Sequence, residues 1–430
     1  MKPSPTCAIM REMIETNLAS KLEEGLPEEL VGFMQTASES AAGRGQSLYL
    51  VGGVVRDLLL GKPNLDLDLV VEGDAVALAR ELAEIKAAKI TTHPRFKTAK
   101  LNWAGFGVDF TTARSESYDQ PGALPIVKSG SLESDLFRRD FTINAMAVSL
   151  DAGRYGGLID HYGGLSDLEQ RLIRVLHEKS FIDDATRIWR GLRYEQRLDF
   201  QLEADTLDWL RRDIPRLDTI SGDRLRYELE CVFRESQPEK VLCRADELGV
   251  LKKLHPALVA DGWLVDRFRL ARRLSLPNSP SFALYLALLA YRLSGQECGD
   301  LTSGLKLSKP VAQIVLDTAT LKAKIKALAY PEIKPSYVYR LVRGLSPSAV
   351  VAASIAAASP VTRQHLEKYR HELRYVKPTL NGGDLIGMGI AAGPRVKELL
   401  ERLRDARLDG KAVSRQDEEA LLRGWLAEAT

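Results

Sequence analysis

Asp66 and Asp68 stand one residue apart in "LDLDLVV" (65–71), where the surrounding leucines set a two-residue alternation. Alternate residues of a strand point the same way, so the two carboxylates share a face while Leu65, Leu67 and Leu69 turn to the core. Side by side, they repel and raise each other's pKa unless a cation lies between them. Mg²⁺ is a hard ion that takes carboxylate oxygens together with substrate phosphates, which makes the pair a candidate seat for it. Taken alone, such a pair is more often a solvated strand face. Its neighbours shift that balance. Gly52-Gly53 falls between an apolar strand, "LYLV", and a helix. There, backbone N–H groups approach an anion closely and a helix N-terminus favours negative charge. Arg56 and Asp57 follow on the first turn, and a guanidinium matches phosphate oxygens by geometry. A third acid, Asp109 in "GVDFTTAR", lies on a strand that can run beside the first. Three carboxylates around metal ions can activate a hydroxyl for in-line attack on a phosphate.

The elements that must position these acids are legible as patterns. Residues 9–44 read as one or two amphipathic helices, a helical extension over 1–44. Between 48 and 150, "LYLVGG", "LDLDLVV", "AKLNWAGFGVDFTTA" and "FTINAMAVSL" have strand character, and "DAVALARELAEIKA" has helical periodicity. A long polar loop is expected over 115–136, and a loop of that length inside a compact domain is usually functional. From Ser166 onward the texture is helix after helix, with Ser166 and Glu169 spaced as a capping box. The fold class is therefore α+β: a small α/β head over 45–165, then an all-helical neck (166–235), body (236–330) and tail (331–430).

Composition narrows the class without naming it. The 430 residues are 45% hydrophobic and 27% charged, with a net charge of +2, as in an ordinary soluble protein. No run of about 18 apolar residues points to a membrane span, and the N-terminal residues do not resemble a signal peptide. Cys7, Cys231, Cys243 and Cys298 form no CxxC pair, which fits free thiols in a reducing cytoplasm. The near-neutral charge leaves a nucleic-acid partner open if basic residues cluster locally.

"GGVVRDLLLG…LDLD", followed by "RRDFTINAMA" at 138–147, resembles the class II tRNA nucleotidyltransferases and bacterial poly(A) polymerases of the DNA polymerase beta superfamily. Further motifs of that family follow in order: "DHYGGLSDL" at 160–168, "DDATR" at 183–187 and "SGDRLRYEL" at 221–229. "NGGDLIGMGIAAGPRVKELL" resembles a tail segment of many members. The resemblance implies that Asp66 and Asp68 hold a catalytic Mg²⁺, with Asp109 as third carboxylate. Gly53 and Arg56 would then contact the incoming nucleotide, and Arg139 and Asn144, on the "RRDFTINA" strand, its triphosphate and ribose region. The partners implied are the tRNA 3′ end, CTP and ATP, with no membrane.

Asp184, Arg187, Arg190 and Arg193 recur at three-residue spacing along "DDATRIWRGLRYEQR", a line that in isolation reads as a solvated face. A carboxylate beside a guanidinium also presents an acceptor and donors to the Watson–Crick edge of a base. Cytosine and adenine both pair an exocyclic amine with a ring-nitrogen acceptor; uracil and guanine reverse the pattern. The resemblance gives Asp184 and Arg187 this templating role, with Asp183 where the family usually has Glu. The expected activity is CCA addition to tRNA. A-adding or CC-adding enzymes of a split system and poly(A) polymerase are the near alternatives, and a non-catalytic RNA-binding module is the distant one.

Overall fold

The computed structural model describes residues 16–117 and 126–427. The chain divides into two compact units, one ending at Ile220 and the other beginning at Ser221.

The first unit opens on helices α1 (Ala19–Gly25) and α2 (Glu28–Gly43), whose apolar residues Leu22, Leu30, Phe33 and Met34 are fully buried. Strands β1 (Ser47–Val51), β2 (Leu67–Glu72), β3 (Lys89–His93), β4 (Thr98–Trp103) and β5 (Phe106–Thr112) follow, with α3 (Gly53–Leu59) and α4 (Ala75–Ile85) between them. Asp74 caps α4 by accepting the Ala77 N–H at 3.0 Å, the expected work of an aspartate just before a helix. Next come the hairpin β6 (Arg114–Ser117) and β7 (Ile126–Ser129), α5 (Leu132–Phe137), β8 (Ala147–Ser149) and β9 (Leu158–Ile159). Seven strands join in the order β3-β4-β5-β2-β1-β8-β9, antiparallel except for the parallel β2–β5 pair.

The pleat sorts the side chains. Leu48, Leu50, Leu69, Val71, Phe110 and Leu101 are all buried, and the ring of Phe33 from α2 packs 6.4 Å from that of Phe110. On the opposite face, Val51, Val70 and Ala147 form a core cluster with Leu132 and Leu136 of α5. That cover stops short of the other edge, where Lys89, Thr91, His93 and Asn102 remain exposed.

Several expected elements are different in the structure. Leu65 is 44% exposed and β2 begins only at Leu67, so Asp66 sits in the entry turn, where its N–H bonds Asn64 Oδ1 at 3.0 Å. The polar segment over 115–136 is in its described part a hairpin followed by α5; its central residues lie outside the described segments. "RRDFTINAMAVSL" is not one strand: Phe141 makes a single bridge to Val175, a 3-10 turn occupies Thr142–Asn144, and Ala147–Ser149 joins the sheet. Asp140 Oδ1 takes the Phe141 N–H at 2.8 Å and Thr142 donates to the distant Asp167 at 2.6 Å, bonds that displace the ladder.

The helices α6 (Gly164–Glu169), α7 (Ser180–Asp183), α8 (Thr186–Leu198) and α9 (Ala204–Asp213) complete this unit, with the short parallel pair β10 (Leu172–Ile173) and β11 (Gln201–Leu202). Gly163, not Ser166, precedes α6, so the expected capping box is not formed; the chain then turns out at Arg171, whose φ is +57°. The second unit is helical throughout its described residues, from Gly222–Phe233 to Arg415–Ala427. One of its cores draws on Leu321 and Leu328 as well as Val338, Val350, Leu366 and Leu408, so the chain on either side of residue 330 shares one apolar cluster.

Candidate active site

The turn from β1 into α3 is made possible by Gly52, whose φ of +79° is strained for any residue with a Cβ. A Cβ there would lie 3.0 Å from Arg139 Nη1 and 3.5 Å from Asp68 Oδ2, so the bare backbone is what lets these two groups converge. They sit in a cleft of about 500 Å³ that also takes in Gly53, Arg56, Asp66, Asn144, Asp184, Arg187 and Arg190. Of the residues expected at the site, Asp109 and Arg193 are not part of the cleft wall. Arg193 is nearly buried and stacks its guanidinium 5.0 Å from the Tyr194 ring centre.

Asp109 is nonetheless a neighbour of the acid pair. The parallel β2–β5 register sets it directly beside Asp68, and Lys100 on β4 sits across from it. Lys100 Nζ donates to Asp109 Oδ2 at 2.7 Å. Burial pushes the Asp68 carboxyl up to about 6; the Arg139 guanidinium pulls it down, and Asp66 and Asp109 push it further up. Among the described residues no three His, Cys, Asp or Glu side chains gather as a ready metal cage. The donor set at Asp66 and Asp68 still suits a hard divalent cation. The carboxylates share one edge, Asp68 is held near acids, and bound cation charge would relieve both.

Several expected contacts are already engaged within the protein. Arg56 is 2% exposed: its guanidinium grips both carboxylate oxygens of Asp57 at 2.9 and 2.8 Å and donates to Asn144 Oδ1 at 2.6 Å. It faces the Tyr194 ring at 5.2 Å. Arg187 donates to Ser180 Oγ at 2.7 Å and to the Arg138 carbonyl at 2.6 Å. Asp184 lies between α7 and α8 in extended conformation, so the expected continuous helix is broken there. Its Oδ1 accepts from the Thr186 N–H at 3.0 Å and hydroxyl at 2.7 Å.

Asp140 is not among the residues expected at the site, yet it is buried and lines the cleft. Arg190 clasps its Oδ2 at 2.8 and 2.6 Å, and Asn144 donates to its Oδ1 at 3.1 Å. Burial raises this carboxyl, but the Arg190 guanidinium and the Asn144 amide outweigh it and hold it down at about 2. Asp135 is also fully buried, and it receives Arg138 at 2.6 Å and Arg139 at 3.0 Å. The signal for both acids was present in "ESDLFRRD", where acids bracket two arginines, but nothing in the pattern said that the acids would be inside. The cleft that results is a cationic wall facing one acidic edge: Arg138, Arg139 and Arg190 are held by buried acids, and Arg187 by Ser180 and the Arg138 carbonyl. Such a wall suits a polyanion, and the edge suits its metal.

Residues 48–174 match the poly A polymerase head domain family, and residues 199–261 match the probable RNA and SrmB-binding site of polymerase A. The A-adding tRNA nucleotidyltransferase of Geobacter sulfurreducens is 34% identical over 388 residues, covering 86% of this chain and 44% of that protein. The chain thus matches under half the length of that relative. The A-adding tRNA nucleotidyltransferase of Halalkalibacterium halodurans is 30% identical, with 93% and 94% covered. Other relatives are named CC-adding tRNA nucleotidyltransferase and CCA-adding enzyme. Among solved structures, the Thermotoga maritima CCA-adding enzyme complexed with tRNA superposes with a TM-score of 0.75 at 30% identity, over 95% of this chain and 98% of that one. No helix of the described residues is long and apolar enough to cross a membrane.

Proposed function

Since the chain belongs to the class II tRNA nucleotidyltransferase and bacterial poly(A) polymerase family, we propose that it adds nucleotides to the 3′ end of tRNA without a template strand. The observation that carries this reading is the acidic edge of Asp66 and Asp68 set against the arginine wall in one cleft. The tRNA 3′-hydroxyl attacks the α-phosphate of a bound nucleoside triphosphate, the new phosphodiester forms, and pyrophosphate leaves in line. Asp66 and Asp68 would hold Mg²⁺, which supplies charge neutralisation at the reacting phosphate. Arg139, beside the Gly52 turn, holds the triphosphate. Arg56 acts from beneath: its bonds to Asp57 and Asn144 keep the floor of the cleft rigid.

Asp184 and Arg187 are the proposed readers of the incoming base. Arg187 is fixed by Ser180 and the Arg138 carbonyl, and that anchoring favours a rigid template over a mobile one. The finer reading we adopt is addition of the terminal A to tRNA ending in CC, because three relatives at 30%, 33% and 34% identity are named A-adding. Addition of the whole CCA from CTP and ATP is the second reading, favoured by the likeness to the tRNA-bound structure.

One assay separates them. The protein is incubated with Mg²⁺ and tRNA ending before CCA, after one C, or after CC, each with CTP, ATP or both. Extension of the CC-ended tRNA alone supports A-addition, and extension of all three supports CCA addition. Repeated A addition to unrelated RNA identifies a poly(A) polymerase. Asp66→Ala and Asp68→Ala should each abolish addition while the circular dichroism spectrum stays unchanged; near-wild-type rates in either would overturn the metal assignment.

A further inference from the structure

The row of side chains that begins at Asp68 does not stop at Asp109. Register places Asp68 beside Asp109, Asp109 beside Lys100, and Lys100 beside Thr91, across β2, β5, β4 and β3. All four point to the same face of the sheet. Beyond Asp109 that face is uncovered: Lys89, Thr91 and His93 are exposed, and the Lys100 side chain is 43% exposed. The nucleotide cleft draws most of its wall from the other side of Asp68; on the Asp109 side β5 contributes Thr111, and no residue of β3 or β4 lines it. In-line transfer puts the attacking hydroxyl opposite the leaving pyrophosphate. A triphosphate seated in the arginine wall therefore leaves the Asp109–Lys100 side for the end of the RNA.

We propose that Lys100 positions the acceptor strand: its ammonium holds the Asp109 carboxylate beside Asp68 and receives the phosphate preceding the 3′-terminal nucleoside of the RNA. This rests on the nucleotidyl transfer proposed above. Lys100 bonds Asp109 through a single ammonium–carboxylate contact at 2.7 Å, and an ammonium has three donors. A half-exposed ammonium keeps donors for a second anion, unlike Arg56, whose guanidinium is buried in internal bonds. Two strand spacings separate Lys100 from Asp68, roughly 10 Å at the backbone. That separation sets the ammonium back from the reacting phosphorus, toward the body of the acceptor. Lys89 on the same open strip extends the positive field in that direction without touching the acids.

The test is steady-state kinetics on a tRNA that the wild type extends, varying tRNA, ATP and salt separately, for wild type, Lys100→Met, Lys100→Arg and Lys89→Glu. Lys100→Met should raise the KM for tRNA about tenfold while the KM for ATP stays within twofold. Its dependence of log KM on log salt should be shallower by about 0.7–0.9, the loss of one phosphate contact. Lys100→Arg should restore most of the tRNA affinity, since the charge is kept. Lys89→Glu should raise the tRNA KM by a smaller factor, also without moving that for ATP. An unchanged tRNA KM in Lys100→Met overturns the proposal. So does a parallel rise of both KM values with an altered Mg²⁺ requirement, which would make the lysine a charge balance for the metal site alone. A wild type that extends no tRNA defeats the proposed function itself, whereas an active wild type beside an unaffected Lys100→Met defeats only this role.

Discussion

Asp68 carries a conflict that the fold maintains. Its carboxyl titrates at about 6 rather than the ordinary 3.8, mainly because it is buried. Below about pH 3 it is protonated in folded and unfolded chains alike, and no penalty arises. As pH rises from about 3 to 6 the unfolded chain ionises first, so stability falls, and above 6 the loss is constant. Without divalent cations, Asp68→Asn should therefore stabilise the protein at pH 8 by about 3 kcal/mol and leave it unchanged at about pH 3. Mg²⁺ should raise the melting temperature of wild type more than that of the variant. Denaturant titrations at the two pH values check this; an equal gain at both would mean that the substitution acts through packing. Asp184 tests base choice instead. Asp184→Ala removes a pairing group from the cleft, and such a loss costs on the order of 1–3 kcal/mol, about one to two powers of ten. Use of UTP relative to the preferred nucleotide should rise accordingly, while part of the transfer rate survives. Reduced rate with unaltered base preference would make this residue only the cap of α8, through its bonds to Thr186.

At the scale of the element, the β1–α3 turn concentrates the constraint. Gly52→Ala places a methyl group at a φ of +79°, 3.0 Å from Arg139 Nη1. Backbone strain alone costs about 1 kcal/mol or more, and the displaced guanidinium should raise the KM for nucleotide by at least tenfold. Gly61→Ala is the control, because it carries a comparable φ of +64° but meets nothing within 4 Å. Equal kinetic effects from the two would show that strain, not Arg139, matters. This turn was legible beforehand, as were the strand that carries Asp68 and its partner with Asp109, although that strand starts one residue after Asp66. A glycine pair between an apolar strand and a helix, or acids on alternate positions, are local signals. What escaped was non-local. "RRDFTINAMAVSL" has the composition of a strand, yet Asp140 and Asn144 draw their partners from α8 and α3, and those partners convert its first half into a turn. The helix expected through "DDATRIW" breaks because Asp184 bonds forward to Thr186, a choice that helical periodicity does not encode. Arg193 shares the spacing of Arg187 and Arg190 but turns to Tyr194 instead of the cleft; the i, i+3 line winds off one face of the helix.

For the molecule as a whole, a net charge of only +2 means that any grip on a long polyanion must come from local patches. The residues proposed to face the nucleotide all lie before position 200, while a folded RNA calls for a longer surface, so phosphate contacts on the helical second unit are the expectation to test. Deleting everything after residue 330 would be an ambiguous test, since Leu321 and Leu328 share a core with Val338, Val350 and Leu408. Losing most of that cluster would expose Leu321 and Leu328 and confound binding with unfolding. Charge reversal at the surface is cleaner. Arg395 and Lys397, on the first turn of the helix Pro394–Leu408, are both exposed, while the apolar residues of that helix, Leu399 and Leu403, are buried in a separate cluster. Arg395→Glu with Lys397→Glu should leave the melting temperature within about 2 °C, as expected for surface positions. If the two side chains contact phosphates, the tRNA dissociation constant should rise, and the slope of its logarithm against log salt should fall in magnitude by about 2. The KM for ATP should not move, because the arginine wall proposed to hold the triphosphate belongs to the first unit. Loss of tRNA binding with an unchanged salt slope would mean that the helix acts through shape, and unchanged binding would assign the RNA contacts to other residues.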